Sequence, residues 1–369
     1  MSGIIVHEWL SPAGGSENVF EVIARTFPDA ERWCLWNDAG ERFQPVNETL
    51  LARTPLRGNK AAALPFMPSV WRHLPARDAD WVLTSSHLFA HHARFGGPAR
   101  DVPKLVYAHT PARYIWVPEL DGRGGSLSAR AIAASLKPLD RRRAQEPAAI
   151  AANSRFIADR IADTWQRDAE VIYPPVSVDR FMREQHLTDA EQAQLDALPD
   201  DFVLGFSRFV PYKRLEAAID TGRVADLPVV LAGSGPDEGR LREIAERTYP
   251  GRVTFVHHPS NALLIAILRR AALLVFAPIE DFGIIPVEAM AAGTPVLANA
   301  IGGAVESVID GVTGAHVHEW RSDAELRSAV ERATTASAQA CVDRAAEFGV
   351  DVFERRIAEF VDRHTTGTA

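Results

Sequence analysis

A chain of 369 residues is long for one average domain and comfortable for two. With 47% hydrophobic and 24% charged residues it is not a disordered chain, and 40 Lys and Arg against 48 Asp and Glu give a net charge of -8, without the basic footprint of a general nucleic-acid binder. One band departs from that balance: residues 51–143 hold 15 Lys/Arg and 6 Asp/Glu, or +9, so the other 276 residues carry about -17.

Cys34 and Cys341 are too few for a disulfide framework, which points to a reducing cytoplasm. The opening MSGIIVHEWL lacks the charged start and apolar core of a signal peptide. No apolar run approaches the roughly 18 residues of a spanning helix. The expectation is a cytoplasmic chain, with the inner face of the cell membrane as a candidate attachment surface.

In chain order, GIIVHEWL reads as a strand and SPAGGSEN as a glycine turn into the helix VFEVIARTF. WVLTSS and PKLVYAH are further short apolar strands, AAIAANS with RFIADRIADTW is a strand and helix, and AEVIYPPV is another strand. Pro174-Pro175 then starts a linker, because proline cannot donate to a central ladder. The second half repeats the alternation through DFVLGFSRF, KRLEAAIDTG, LPVVLAGSG, GRVTFVHH, NALLIAILRRA, ALLVFAPI, PVEAMAAG and TPVLANA, and ends in successive helices. The pattern predicts an α/β chain of two doubly wound domains, residues 1–176 and 177–349, with a helix at about 350–369 packing back on the first. Ligands of such sheets sit beyond the carboxyl ends of the strands, so the loops GGSEN, HTPAR, GFSRFVPYK, AGSGP and IEDFG are the candidates, converging on one interdomain cleft if the halves face each other.

AGSGPDEG follows a strand and precedes a helix, but its spacing is one residue off the dinucleotide fingerprint and Arg252 stands where an acidic residue is needed. No Walker loop is present. Asp78-Ala-Asp80 lies before a strand, not at its exit, and reads as a solvated end more than as a metal site. His87, His91 and His92 have no carboxylate or thiolate close in sequence, so surface or packing roles are favoured over zinc. Arg208 and Lys213 share one loop ahead of a helix, a fitting clamp for a diphosphate or else a pair of solvated cations. In IEDFGIIPVEAMAAGTPVLA, Glu280 and Glu288 flank Gly283 and Pro286, and the DFGI stretch can offer free backbone N–H groups at a helix start. Carboxylates beside such donors suit a polyhydroxyl, phosphate-bearing ligand; buried structural glutamates are the plain alternative.

GGSEN, HTPARYIW, ANSRF, VIYPPV, SRFVPYKR, EDFGIIPVEAMAAGTPVLA and GGAVESVIDGVTG, in this order across residues 7–314, resemble the retaining glycosyltransferases of family 4, whose fold is GT-B. The resemblance implies two Rossmann-like domains facing a cleft, an acceptor-side first domain and a donor-binding second one. It implies hexosyl transfer from a nucleotide-diphosphate sugar, with GDP-mannose favoured, to a hydroxyl of a glycan, glycolipid or other small acceptor, by same-face substitution that needs no metal and no cofactor. His109, Glu280, Arg208 and Lys213 would be catalytic. Gly14, Gly15, Arg208, Lys213, Asp281, Phe282, Gly283, Ile284 and Glu288 would hold the donor, with Glu288 on the ribose. Ser16, Arg113, Tyr114 and Asn153 would face the acceptor. The rival readings are an epimerase or hydrolase of the same fold, and a non-catalytic nucleotide-sugar binder; nucleic acid is not an expected partner. Within the basic band, Arg53, Arg57, Lys60, Arg72 and Arg77 alternate with Leu56, Leu64, Phe66, Met67, Val70 and Trp71, as an anionic membrane surface or a lipid-diphosphate acceptor would require if the apolar groups are exposed.

Overall fold

The opening apolar run folds as β1 (Gly3–His7), buried at every position, as a parallel strand covered on both faces must be. The computed structural model describes residues 2–117 and 127–365, and of residues 127–132 the backbone only. Two compact units result, one of Met1–Pro175 with Asp351–Ala369 and one of Val176–Val350.

In the first unit β1 is joined by β2 (Glu31–Cys34), β3 (Asn47–Glu48), β4 (Trp81–Ser86), β5 (Lys104–Ala108), β6 (Ala149–Ala152) and β7 (Glu170–Val171). They form one parallel sheet in the order β3-β2-β1-β4-β5-β6-β7. The expected strand AEVIYPPV shrinks to the two residues of β7, ahead of the two prolines that cannot extend a ladder. Helix Gly15–Thr26 starts earlier than its apolar stretch suggests, directly at the glycine pair. The last helix, Val350–Thr365, buries Phe353, Ile357, Phe360 and Val361. Phe353 meets the Tyr107 ring edge-on at 5.5 Å, and Arg25–Glu354 and Arg363–Glu170 pair at 2.6 and 2.7 Å.

The second unit contains β8 (Val203–Phe206), β9 (Val229–Ala232), β10 (Val253–Val256), β11 (Leu273–Phe276), β12 (Val296–Asn299) and β13 (Gly314–Val317), all parallel, in the order β10-β9-β8-β11-β12-β13. KRLEAAIDTG is not wholly helical. Pro211–Lys213 is a 3-10 turn, Arg214 adopts left-handed backbone at φ 52°, and the helix begins at Glu216.

The basic stretch differs from its sequence reading. Met67 and Trp71 are fully buried in the core of the first unit, Leu56, Leu64 and Val70 pack against that core, and of the six apolar residues only Phe66 is exposed. Three of its five cations face carboxylates: Arg57 reaches Asp38 and Glu48, each at 3.3 Å, Arg72 reaches Glu146 at 2.6 Å and Arg77 reaches Glu31 at 2.8 Å. The period of its apolar residues is therefore that of a core-facing segment. Among the described residues no helix is long and apolar enough to cross a membrane.

Candidate active site

The strand order of the second unit reverses between β8 and β11, and the loops at the carboxyl ends of these two strands carry the sequence's strongest motifs. From the β8 loop, Lys213 extends its ammonium to Glu280 Oε1 in the β11 loop at 2.5 Å, with both side chains largely shielded from water. Arg208 on the same loop is exposed and donates to the Tyr212 hydroxyl at 3.0 Å. The loop backbone is held from two sides. Phe209 N–H donates to the Ser234 carbonyl at 2.7 Å, and Gly233, at φ 136°, lies so close that a Cβ there would come within 1.9 Å of the Ser207 carbonyl oxygen. The AGSGPDEG glycines thus let two loops approach each other.

Glu280 accepts the Gly303 N–H on its carbonyl at 2.8 Å. Asp281 is half-buried, and Phe282 is buried with its ring 5.5 Å from that of Phe348. Gly283 caps helix Ile284–Ala291 at φ 91° without any side-chain cap, and no acidic residue stands in the first turn. The leading N–H groups of that helix have no intrahelical acceptor, an arrangement suited to oxyanions and hydroxyls. One turn on, Glu288 pairs with Arg180 at 2.6 Å. Burial pushes its carboxyl above the ordinary value while Arg180 pulls it back. The sequence reading missed Arg180, which lies 108 residues from Glu288 and belongs to no motif.

In the first unit the order reverses between β1 and β4. His109, after β5, is buried and its Nε2 lies 2.8 Å from Ser85 Oγ, which is also 3.0 Å from His7 Nδ1. His87 stands nearby, its ring 5.6 Å from His7 and 6.2 Å from His109. Burial pushes His109 down to about 3, so the ring is a neutral hydrogen-bonding group at neutral pH. Just after β1, the buried Glu8 carboxyl accepts the Leu88 and Ala90 N–H groups at 2.9 and 2.6 Å. Neither His7 nor Glu8 was singled out from the sequence, although HEWL ends a strand at this switch point.

Gly14 caps helix Gly15–Thr26, and a Cβ on it would meet Glu17 Oε2 at 2.0 Å. The Glu17 carboxylate lies at this helix start, accepting the Ser16 hydroxyl at 2.8 Å and the Ser11 N–H at 3.3 Å. Arg113 and Tyr114 begin the short helix Arg113–Trp116 and are half-buried. Asn153 is buried beyond β6, its N–H donating to the Ala108 carbonyl at 3.2 Å.

One sequence expectation needs correction. His91 and His92 do have a carboxylate at hand, Asp140, which lies 48 residues on from His92, and none of the three is on the surface. Their ligand atoms lie within 4.8 Å of one another, a spacing that could hold a metal ion. The protein supplies other partners, however. Asp140 Oδ2 accepts both the Trp116 and Trp165 indole N–H groups at 2.7 and 2.8 Å, and Oδ1 faces His91 and His92 Nε2 at 3.2 and 3.1 Å. The Lys104 ammonium, donating to the His91 carbonyl at 2.9 Å, adds positive charge beside the cluster. These contacts fit a hydrogen-bonded hub that ties helix Leu127–Arg143 to three other segments.

Two parallel doubly wound units with polar loops at their switch points define a GT-B-type fold. Residues 13–180 match the family Glycosyltransferase Family 4, and residues 188–346 match Glycosyl transferases group 1. Each model matches a little under half of the chain, and the two together span most of it. It is 30% identical over 237 residues to D-inositol 3-phosphate glycosyltransferase of Mycobacterium sp. (strain KMS), covering 58% of this chain and 53% of that protein. It is 33% identical over 200 residues to the protein of that name from Mycobacterium leprae (strain Br4923), covering 49% and 46%. The chain thus spans about half the length of the curated relatives it matches. In fold it is similar to Anabaena HepE crystallised with UDP, at TM-score 0.71 and 20% identity over 98% of this chain and 100% of the other. It is likewise similar to sucrose-phosphate synthase from Thermosynechococcus elongatus, at TM-score 0.69 and 16% identity over all of both chains.

Proposed function

We propose that the protein is a retaining glycosyltransferase that moves a hexosyl unit from a nucleotide-diphosphate sugar to a hydroxyl acceptor. The observation that carries this reading is the Lys213–Glu280 pair at the switch point of the second unit, beside a helix start that no side chain caps. When donor enters, Lys213 turns from Glu280 to the diphosphate and, with Arg208, neutralises the charge that develops as the sugar–phosphate bond breaks. Glu280 and the backbone of Asp281, Phe282, Gly283 and Ile284 then hold the sugar hydroxyls, and Glu288, oriented by Arg180, accepts from the ribose. Pre-placed cations and backbone donors stabilise a leaving anion most where water is excluded. They supply the neutralisation that a divalent cation supplies elsewhere, so the reaction is proposed to need no metal.

In the step itself the bond from the anomeric carbon to the β-phosphate oxygen breaks with its electron pair leaving on that oxygen. The acceptor oxygen bonds to the same face of that carbon, and its proton passes to the β-phosphate oxygen. The first unit is assigned the acceptor, with neutral His109 hydrogen bonding at the reacting end and Ser16, Arg113, Tyr114 and Asn153 as its polar contacts. Gly14 and Gly15 are assigned to the diphosphate, and Glu17, now at that helix start, must move for an anion to enter. The motif forms favour GDP-mannose, whereas Anabaena HepE was crystallised with UDP and with UDP-glucose, so uridine and guanosine donors both belong in the trial set. A phosphate-bearing or lipid-linked hydroxyl compound is the proposed acceptor class.

Lys213→Ala and Glu280→Ala are expected to lower turnover by about 10²–10³-fold, the scale of losing one preorganised group at a developing charge. Circular dichroism and melting temperature should stay near wild type. Near-wild-type turnover in both variants would contradict the assignment.

A further inference from the structure

The opposite edge of the first unit's sheet has its own charged recess. Val82, Lys104 and Glu146 stand at the amino ends of β4, β5 and β6, roughly 16 Å along β5 from His109 at the strand rise. A cavity of about 290 Å³ there has Arg72, Arg94, Arg100 and Lys104 in its walls and Glu146 as its sole carboxylate. A neighbouring cavity of about 510 Å³ shares Arg72 and Arg94 and adds Arg143. Five cations against one carboxylate leave a surplus of +4, leaving the histidines aside.

Glu146 is already shared three ways, meeting Arg72 at 2.6 Å, Arg143 at 2.8 Å and Lys104 at 3.0 Å. Against the burial that would raise it, Lys104, Arg143 and Arg72 hold its carboxyl down to about 2, so it counts as one full negative charge. Arg72 and Lys104 are largely buried, at 14% and 12% side-chain exposure, and Lys104 also donates to the His91 and Ala93 carbonyls. These two are fixed by the fold. Arg94 is half-buried and Arg100 exposed, and neither has a carboxylate within ion-pair distance among the described residues.

Unneutralised cations in a partly desolvated recess are costly, and a planar guanidinium pair matches the oxygens of a tetrahedral oxyanion. We propose that this recess is a second, non-catalytic site that binds a phosphate group, either free phosphate or the phosphate of a lipid headgroup. Its size suits a single phosphate more than a polyanionic chain. It also accounts for part of the unusual charge of residues 51–143, since Arg72, Arg94, Arg100, Lys104 and Arg143 all belong to that band.

The test is calorimetric titration of the full chain with inorganic phosphate, against chloride at matched ionic strength. Wild type and Lys213→Ala, which disables the proposed donor site, should both bind phosphate saturably. The double variant Arg94→Ala, Arg100→Ala should bind it roughly tenfold or more weakly, as expected for losing charge-assisted hydrogen bonds, with turnover unchanged. Sedimentation with phosphatidylcholine vesicles containing phosphatidic acid separates the sources. Vesicle binding that the double variant loses assigns a lipid headgroup, and phosphate binding without vesicle binding assigns free phosphate. Equal response to phosphate and chloride, or wild-type affinity in the double variant, would overturn the proposal; loss of phosphate binding in Lys213→Ala alone would place the anion at the donor site instead.

Discussion

Glu8 shows how far one buried group can shape the behaviour of the protein. Its carboxyl has no exposed surface, and burial pushes it up to about 7 against the pull of the Leu88 and Ala90 N–H groups. Between about pH 4.5 and 7 the folded protein keeps a proton on Glu8 that the unfolded chain has released. The stabilisation from this group is therefore complete below pH 4.5 and is lost as the pH rises through 7. His7, His87, His92 and His109 act in the other direction, since burial lowers all four. Their contribution is present above 6.5 and is lost as the pH falls below it. Glu8→Gln keeps an acceptor for Leu88 and Ala90 and removes the titration. Denaturant melts from pH 4 to pH 8 should show the variant gaining on wild type by roughly 3 kcal/mol across that range. Parallel curves for the two proteins would show that Glu8 ionises normally.

At the scale of the element, the loop proposed to hold the donor depends on close backbone approach. Gly303 donates to the Glu280 carbonyl, and a Cβ on Gly303 would lie 2.2 Å from the Asp281 carbonyl oxygen and 2.4 Å from the Phe282 Cα. Neither contact can be relieved by turning a side chain, so the loop itself must shift. Gly303→Ala is expected to cost about 1–3 kcal/mol in thermal melts and to weaken nucleotide binding with it. An unchanged melting temperature together with unchanged affinity would show that the loop tolerates the move.

The elements were largely legible in the sequence because a parallel strand covered on both faces is a short apolar run. VFEVIARTF, WVLTSS and LPVVLAGSG announce themselves by period and boundary. The site was legible only where both partners lie in motifs. Lys213 and Glu280 each stand in a recognisable loop, and their ion pair across 67 residues follows from adjacent strands. Arg180 and Asp140 stand in no motif, so the partner of Glu288 and the hub of His91 and His92 came only from the fold. The basic stretch failed for the opposite reason. Met67 and Trp71 carry a helical apolar period, and period alone does not say whether a face meets a core or a membrane.

Across the whole molecule, the net charge of -8 combines a basic band of +9 with a strongly acidic remainder. Among the described residues of that band, Arg57, Arg72, Arg77, Lys104 and Arg143 pair with carboxylates, while Arg94 and Arg100 remain unpaired at the amino ends of the strands. The other unit carries the cation–carboxylate pair and the helix start on which the proposed donor site rests. The proposed reaction is transfer to an acceptor. The most direct test incubates the full chain with uridine and guanosine diphosphate hexoses, with and without a phosphate-bearing or lipid-linked hydroxyl acceptor, and follows nucleoside diphosphate and the anomeric configuration of the product by NMR. The expected result is acceptor-dependent release and a glycoside with the donor's configuration. Equal release without acceptor, an epimerised sugar nucleotide, or an inverted product would contradict it.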